Sequence, residues 1–236
     1  MSRVGTDLVS GGFYVTRGVE PGASFDSASL PREILSLSPC VAAFLPDIWA
    51  FEWASNPVVE GEASLRAFGL PLELRSTIEQ RVREAHARRR LGWASVWYDR
   101  DAAREFVESL GPNGESLVVI ELAVPGEFVE KLFEELTPSA GQSIPGLLER
   151  LRRRSAPDST GVDLGWELLA AEYGCHLHSW ACNGLIARAE AELGIRTGAH
   201  GLLRTEADAR AVCAWIDANE LGEPLPWFPG LARRIE

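Results

Sequence analysis

The chain has 236 residues, 46% hydrophobic and 24% charged, with a net charge of −11 from 34 acids and 23 bases. That length allows one large domain or two small ones, with enough apolar residues to bury a core without a metal or a disulfide framework. The acidity repels phosphate backbones and argues against a nucleic-acid partner. The apolar stretches around 41–53 and 117–124 are too short or too interrupted to span a bilayer, and the first residues lack the charged start and apolar run of a secretory signal.

The four cysteines, Cys40, Cys175, Cys182 and Cys213, therefore read as free thiols in a reducing compartment, and the expected location is cytoplasmic. One lysine stands beside 22 arginines, a bias that fits a GC-rich bacterial genome better than thermophily, whose signal is enrichment in Lys and Glu.

Along the chain, 12–17 (GFYVTR) reads as a first strand after a Gly-Gly pair, followed by a loop rich in Gly, Pro and Ser. Ser38-Pro39 opens an apolar stretch over 40–54 that reads as helix interrupted at Pro46. The clearest helix is predicted over 71–90, with Pro71 in its first turn, a stripe of Leu72, Leu74, Ile78 and Val82, and Arg88-Arg89-Arg90 at its C-terminal end. WASVWY, 93–98, follows as a strand that sets Trp93 and Trp97 on one face.

A helix capped by Asp99 or Asp101 then runs to about 110, and 116–124 (SLVVIELAV) is the clearest strand, apolar enough to be central. Helices follow from Pro125-Gly126 and over about 144–154. The stretch 155–163 (SAPDSTGVD) is the best linker candidate, so the chain is one domain or two lobes, 1–154 and 163–236, joined at 155–162. Beyond it come a strand at about 165–173, a helix from Ser179 to Leu193 closed by Gly194, a strand at about 200–204, and a helix capped by Thr205. The tail from Pro224 to Pro229 reads as extended chain packed over the core surface. Without a regular strand–helix–strand rhythm, the expected class is α+β, with a small mixed or mostly antiparallel sheet flanked by several helices.

Chemistry concentrates in one place. Glu167, Glu172, Cys175, His176, His178 and Cys182 fall within sixteen residues, and three of the four histidines lie in the last third of the chain. On an extended segment His176 and His178 point to one face, as a pair of metal ligands would. The candidate catalytic set is His176, His178, Cys175 and Glu167. The candidate metal set, for zinc, is His176, His178 and Cys182. The spacing matches no standard zinc pattern, so the default is no cofactor. Glu167 and Glu172, at odd spacing, fall on opposite strand faces, which argues against shared acid–base work. Dinucleotide loops, phosphate loops and nucleophile elbows are absent.

The second concentration is charge. Residues 101–136 carry nine acids against two bases, a net of −7. With eight tryptophans in the chain, this segment suggests a protein-binding face built from Trp93, Trp97, Glu105 and Glu108. The first functional expectation is thus a non-catalytic cytoplasmic protein of the bacterial immunity or antitoxin kind, capturing a basic protein partner. The alternative is a small enzyme with a Cys/His site, metal-assisted or not, at the 167–183 junction.

Overall fold

The computed structural model describes residues 7–18, 31–42, 44, 48–136 and 146–236. The Pro46 interruption and the start of the helix expected from about 144 lie outside the described residues. Five strands form one curled antiparallel sheet: β1 (Leu8–Thr16), β2 (Val118–Pro125), β3 (Val162–Glu172), β4 (His176–Ser179) and β5 (Trp227–Ile235), in the order β1-β2-β5-β3-β4. Seven α-helices accompany it among the described residues: α1 (Pro57–Phe68), α2 (Arg75–Ala87), α3 (Arg100–Glu108), α4 (Gly126–Leu136), α5 (Leu147–Arg152), α6 (Leu185–Leu193) and α7 (Glu206–Ala218). The α+β class with a mostly antiparallel sheet is therefore correct. None of the described helices is long and apolar enough to cross a membrane.

The alternation of strand side chains sorts the core into layers. From one face Tyr14, Ile120, Leu122, Leu169, Phe228 and Ala232 pack with Leu147, Leu148 and Leu151 of α5. From the other face Phe13, Val15, Val119 and Ile235 pack against α1, α2 and α3 near the β1 side. Toward the β4 side, Trp166, Leu168, Ala170 and Leu231 of that face pack against α6 and α7.

The C-terminal tail departs most from expectation. It does not lie over the core surface: Trp227–Ile235 enters the middle of the sheet, pairing with β2 from Val119↔Ile235 to Ala123↔Leu231 and with β3 from Val162↔Arg234 to Ala170↔Trp227. Strands from both sides of the 155–162 stretch thus share one sheet. Pro229 argues against a central strand because it lacks an N–H. It is accommodated because it lies past Leu231, where the pairing with β2 has ended.

WASVWY is not a strand. Trp93–Ser95 form a 3-10 turn with Ala94 at φ 55° and Ser95 at φ 61°, and only Trp97 bridges to Phe13. The run is apolar because Val96, Trp97 and Tyr98 are all buried in succession, without the alternation of a half-exposed strand. The stretch 200–204 likewise gives only one bridge, Trp166↔Leu203. The helix expected from Ser179 is delayed: Ser179 ends β4, its hydroxyl accepts from Ala181 N–H, and α6 starts after Gly184 at φ +68°. Its close at Gly194, with N–H donated to Glu190 O, is as expected. The strongest predicted helix is shorter too, α2 beginning at Arg75 after a 3-10 turn over Leu72–Leu74. The unforeseen α1 carries ordinary signals: Asn56 caps it, Pro57 starts it, and Gly69 ends it at φ +73°.

Candidate functional site

The site is built on the β3–β4 hairpin at the free edge of the sheet. Tyr173 (φ 53°) and Gly174 (φ 75°) take the left-handed pair that suits a right-twisted hairpin, and Cys175 N–H donates to Glu172 O. The register then sets His176 opposite Glu172 and His178 opposite Ala170. Both imidazoles project from the same face, their rings 4.9 Å apart.

The sulfur that meets them is Cys40, 136 residues earlier in the chain, with Sγ 3.9 Å from His176 Nε2 and 3.7 Å from His178 Nδ1. Its delivery depends on Glu167. This carboxylate is buried in β3 on the opposite sheet face, where Ser36 Oγ donates to its Oε1 (2.5 Å) and Leu37 N–H to its Oε2 (2.8 Å). Two hydroxyl-centred turns follow: Ser38 N–H donates to Ser36 Oγ and Cys40 N–H to Ser38 Oγ. The segment 31–42 is thus fastened on one face of the sheet and passes the edge of β4 to place Cys40 on the other. Burial raises the Glu167 pKa, opposed by hydrogen bonds from Ser179, Ser36 and Leu37.

Around the three ligand-type atoms stands a ring of polar groups. Glu172 Oε2 is 3.2 Å from His178 Nε2, and the other ring nitrogen, Nδ1, faces Cys40. Glu223 Oε1 is 3.4 Å from His178 Nδ1, and Asn183 Nδ2 holds the other Glu223 oxygen at 3.1 Å. The Cys182 thiol donates to Ser179 O at 3.0 Å and accepts from Asn183 Nδ2 at 3.5 Å. Hydrogen bonds from Cys182, then from His176, hold the Cys40 thiol well below the usual thiol range, while the same contact and burial push Cys182 up.

The structure therefore joins only part of each sequence-derived set. His176 and His178 stand together. Cys182 does not join the histidine pair, its thiol being turned to Ser179 O. Cys175, one residue from His176, turns to the other side and is buried against Gly146. Glu167 lies across the sheet as the anchor of the Cys40 segment. Cys40 and Glu223 had no local signal to mark them: each reaches the site from a turn far from the hairpin in sequence.

The expected partner-binding face is not assembled as expected. Trp97 is 2% exposed, packed on Phe106, and Trp93 is partly buried beside Trp53 and His86. Glu108 is exposed, but Glu105 pairs with Arg90 at 2.9 Å. Acidity over 101–136 is also more diluted than its charge count implies. Glu121 is internal, bonded by Ser10 and Arg233, and Glu127 and Glu130 meet Arg210 and Arg154 from outside the segment.

Cys40, His176 and His178 are the one group of at least three such side chains among the described residues whose ligand atoms all lie within 4.8 Å of one another. A tetrahedral zinc with bonds of about 2.3 Å to sulfur and 2.0–2.1 Å to nitrogen sets its S···N edges at roughly 3.5 Å. The observed sulfur–nitrogen distances of 3.7 and 3.9 Å need only a few tenths of an ångström of contraction. No family model, curated protein or solved structure matches the chain.

Proposed function

We propose that the protein is a metal-dependent enzyme that activates water. Cys40, His176 and His178 would hold a zinc-class ion, and Glu223 would take the proton of water at the open fourth position. The observation that carries this reading is the convergence of one thiol and two imidazoles from segments 136 residues apart onto ligand-like separations. Three protein ligands with an open position are the pattern of catalytic rather than structural zinc.

The surroundings support the same reading. Glu172 on His178 Nε2 is the carboxylate–histidine–metal arrangement that orients a ligand ring. Glu223, steadied by Asn183, stands 3.4 Å from His178 Nδ1 and suits a general base. The reaction class that fits is hydrolysis of an ester or amide.

The zinc-loaded protein is expected to hydrolyse an activated ester, with Glu223→Gln lowering the rate by about 100-fold or more while zinc stoichiometry stays near one equivalent. Purified protein that retains no zinc after dialysis, or a Glu223→Gln variant as fast as wild type, would overturn the reading.

A second reading, capture of a basic partner protein in the manner of an immunity protein, draws on a different observation. Trp49 and Trp53 are 47% and 65% exposed and Val58 and Val59 over half exposed, an aromatic and aliphatic patch on an otherwise acidic molecule. Trp53→Ala together with Val59→Ser would then weaken a basic partner at least tenfold in a pull-down repeated across salt concentrations. Equal retention by wild type and variant would remove that reading.

A further inference from the structure

We infer that Trp53 and Trp93, braced by His86, form an open aromatic corner that binds a quaternary ammonium group. The inference needs neither the metal of the proposed site nor a protein partner.

The corner joins two separate turns: Trp53 ends the π-helical turn Trp49–Trp53, and Trp93 begins the 3-10 turn Trp93–Ser95. The two indoles have centroids 5.8 Å apart and planes inclined at 57°. His86, in the last turn of α2, stands at 87° to Trp93 with centroids 6.2 Å apart, and its Nδ1 lies 3.1 Å from Leu91 O. Trp93 is followed by two residues with left-handed backbone, neither of them glycine: Ala94 at φ 55° and Ser95 at φ 61°. Strain of this kind persists where the surroundings over-determine it, and it clusters at ligand clamps. Trp53 is 65% exposed, although an indole is among the largest apolar groups a chain can leave in water.

The face of an aromatic ring is the negative part of its quadrupole and attracts a cation within about 6 Å of the centroid. With centroids 5.8 Å apart, one cation can reach both indoles. Elsewhere the chain covers ring faces with its own guanidinium groups. Arg153 lies 4.8 Å over Tyr98, Arg188 5.4 Å over Trp215 and Arg210 5.4 Å over Phe128, while Arg152 and Arg154 lie 5.7 and 5.5 Å from the Phe133 ring. Among the described residues no such group lies over Trp53, Trp93 or His86. The net charge of −11 draws a ligand of the same positive sign.

The kind of cation follows from hydrogen bonding. A lysine ammonium brings three N–H donors and a guanidinium five, all of which need acceptors. Glu52, the carboxylate next to Trp53 in the chain, is taken by Arg83. A quaternary ammonium brings no donor, and its methyl groups bury apolar surface against the indoles.

The test titrates the full chain with choline and, separately, with 3,3-dimethyl-1-butanol, its neutral isostere, at constant ionic strength, following the indole N–H resonances by NMR. Choline is expected to shift the Trp53 and Trp93 resonances saturably, and the neutral alcohol to bind at least about tenfold more weakly. The Trp215 resonance, whose ring already carries Arg188, should not move. Trp53→Ala should abolish the choline response of Trp93, and Trp53→Phe should retain a weaker one. Trp53 is mostly in solvent, so both variants are expected to fold, which circular dichroism checks. Equal binding of the two isosteres would reduce the corner to an apolar patch and overturn the inference. So would the absence of a saturable shift, or a Trp93 response that survives Trp53→Ala.

Discussion

His178→Ala should abolish stoichiometric zinc binding, with affinity reduced by a factor on the order of 100 to 1,000. Structural zinc sites with four ligands bind with apparent free energies of roughly 10–16 kcal/mol, or about 3–4 kcal/mol per ligand, and each 1.4 kcal/mol is tenfold. His178 is the best-placed ligand to remove. Its Nδ1 faces Cys40 at 3.7 Å, and its Nε2 is fixed by Glu172 at 3.2 Å. The paired control is Cys175→Ala. Cys175 is next to His176 in sequence but is packed on Gly146 away from the cluster, so its removal should leave zinc affinity within about threefold of wild type. Competition with a chromogenic chelator, alongside circular dichroism to confirm folding, measures both. A similar loss in the two variants would contradict the placement of the site.

Glu167→Ala should damage both stability and metal binding although Glu167 touches no ligand atom. It would leave the Ser36 hydroxyl and the Leu37 N–H without their acceptor in a buried part of the sheet, at a loss of about 3 kcal/mol. The segment that delivers Cys40 would lose its anchor, and zinc affinity should fall about 10- to 100-fold with every ligand intact. Urea unfolding and zinc competition on one preparation test the coupling, and a variant that loses stability alone would refute it.

The charge of Glu167 adds a pH signature. Burial raises its folded pKa, so between the ordinary carboxylate range and that raised value the folded state holds more protons than the unfolded state. Stability of the wild type relative to Glu167→Gln should therefore be level below the ordinary range and decline as pH rises through the raised value. A gap between the two proteins that widens in favour of wild type over that interval would show the sign to be wrong.

How much of this was legible in the sequence depended on whether the signal was local. The strand at Val118–Pro125 was readable because β-branched and apolar residues run almost unbroken, and it is buried on both faces. The paired direction of His176 and His178 followed from the two-residue period of an extended chain. Thr205 was readable as a cap because its hydroxyl has the Asp208 N–H three residues on to accept from. The last strand was missed because Pro229, Gly230 and the Arg233-Arg234 pair each argue against a central strand taken alone. Arg233 is tolerated there through Glu121 and Asp163, neither of which is near it in sequence.

The site shows the same division. Cys182 was the natural third ligand by proximity, four residues from His178, yet it sits in the turn after β4 with its proton on Ser179 O. The sulfur that meets the histidines belongs to a turn whose position is set by Glu167 across the sheet. Glu167 belonged to the candidate catalytic set read from the sequence, and its buried position beside Ser36 and Leu37 gives it a positioning role instead.

On the function proposed above, Cys40, His176 and His178 together bind one metal ion. Cobalt(II) titration of the reduced full chain, followed by absorbance, tests it most directly. Saturation at one equivalent is expected, with a thiolate-to-cobalt charge-transfer band that is lost in Cys40→Ser and displaced by zinc in the wild type. No saturable band, or one that survives Cys40→Ser and disappears in Cys175→Ala, would contradict it.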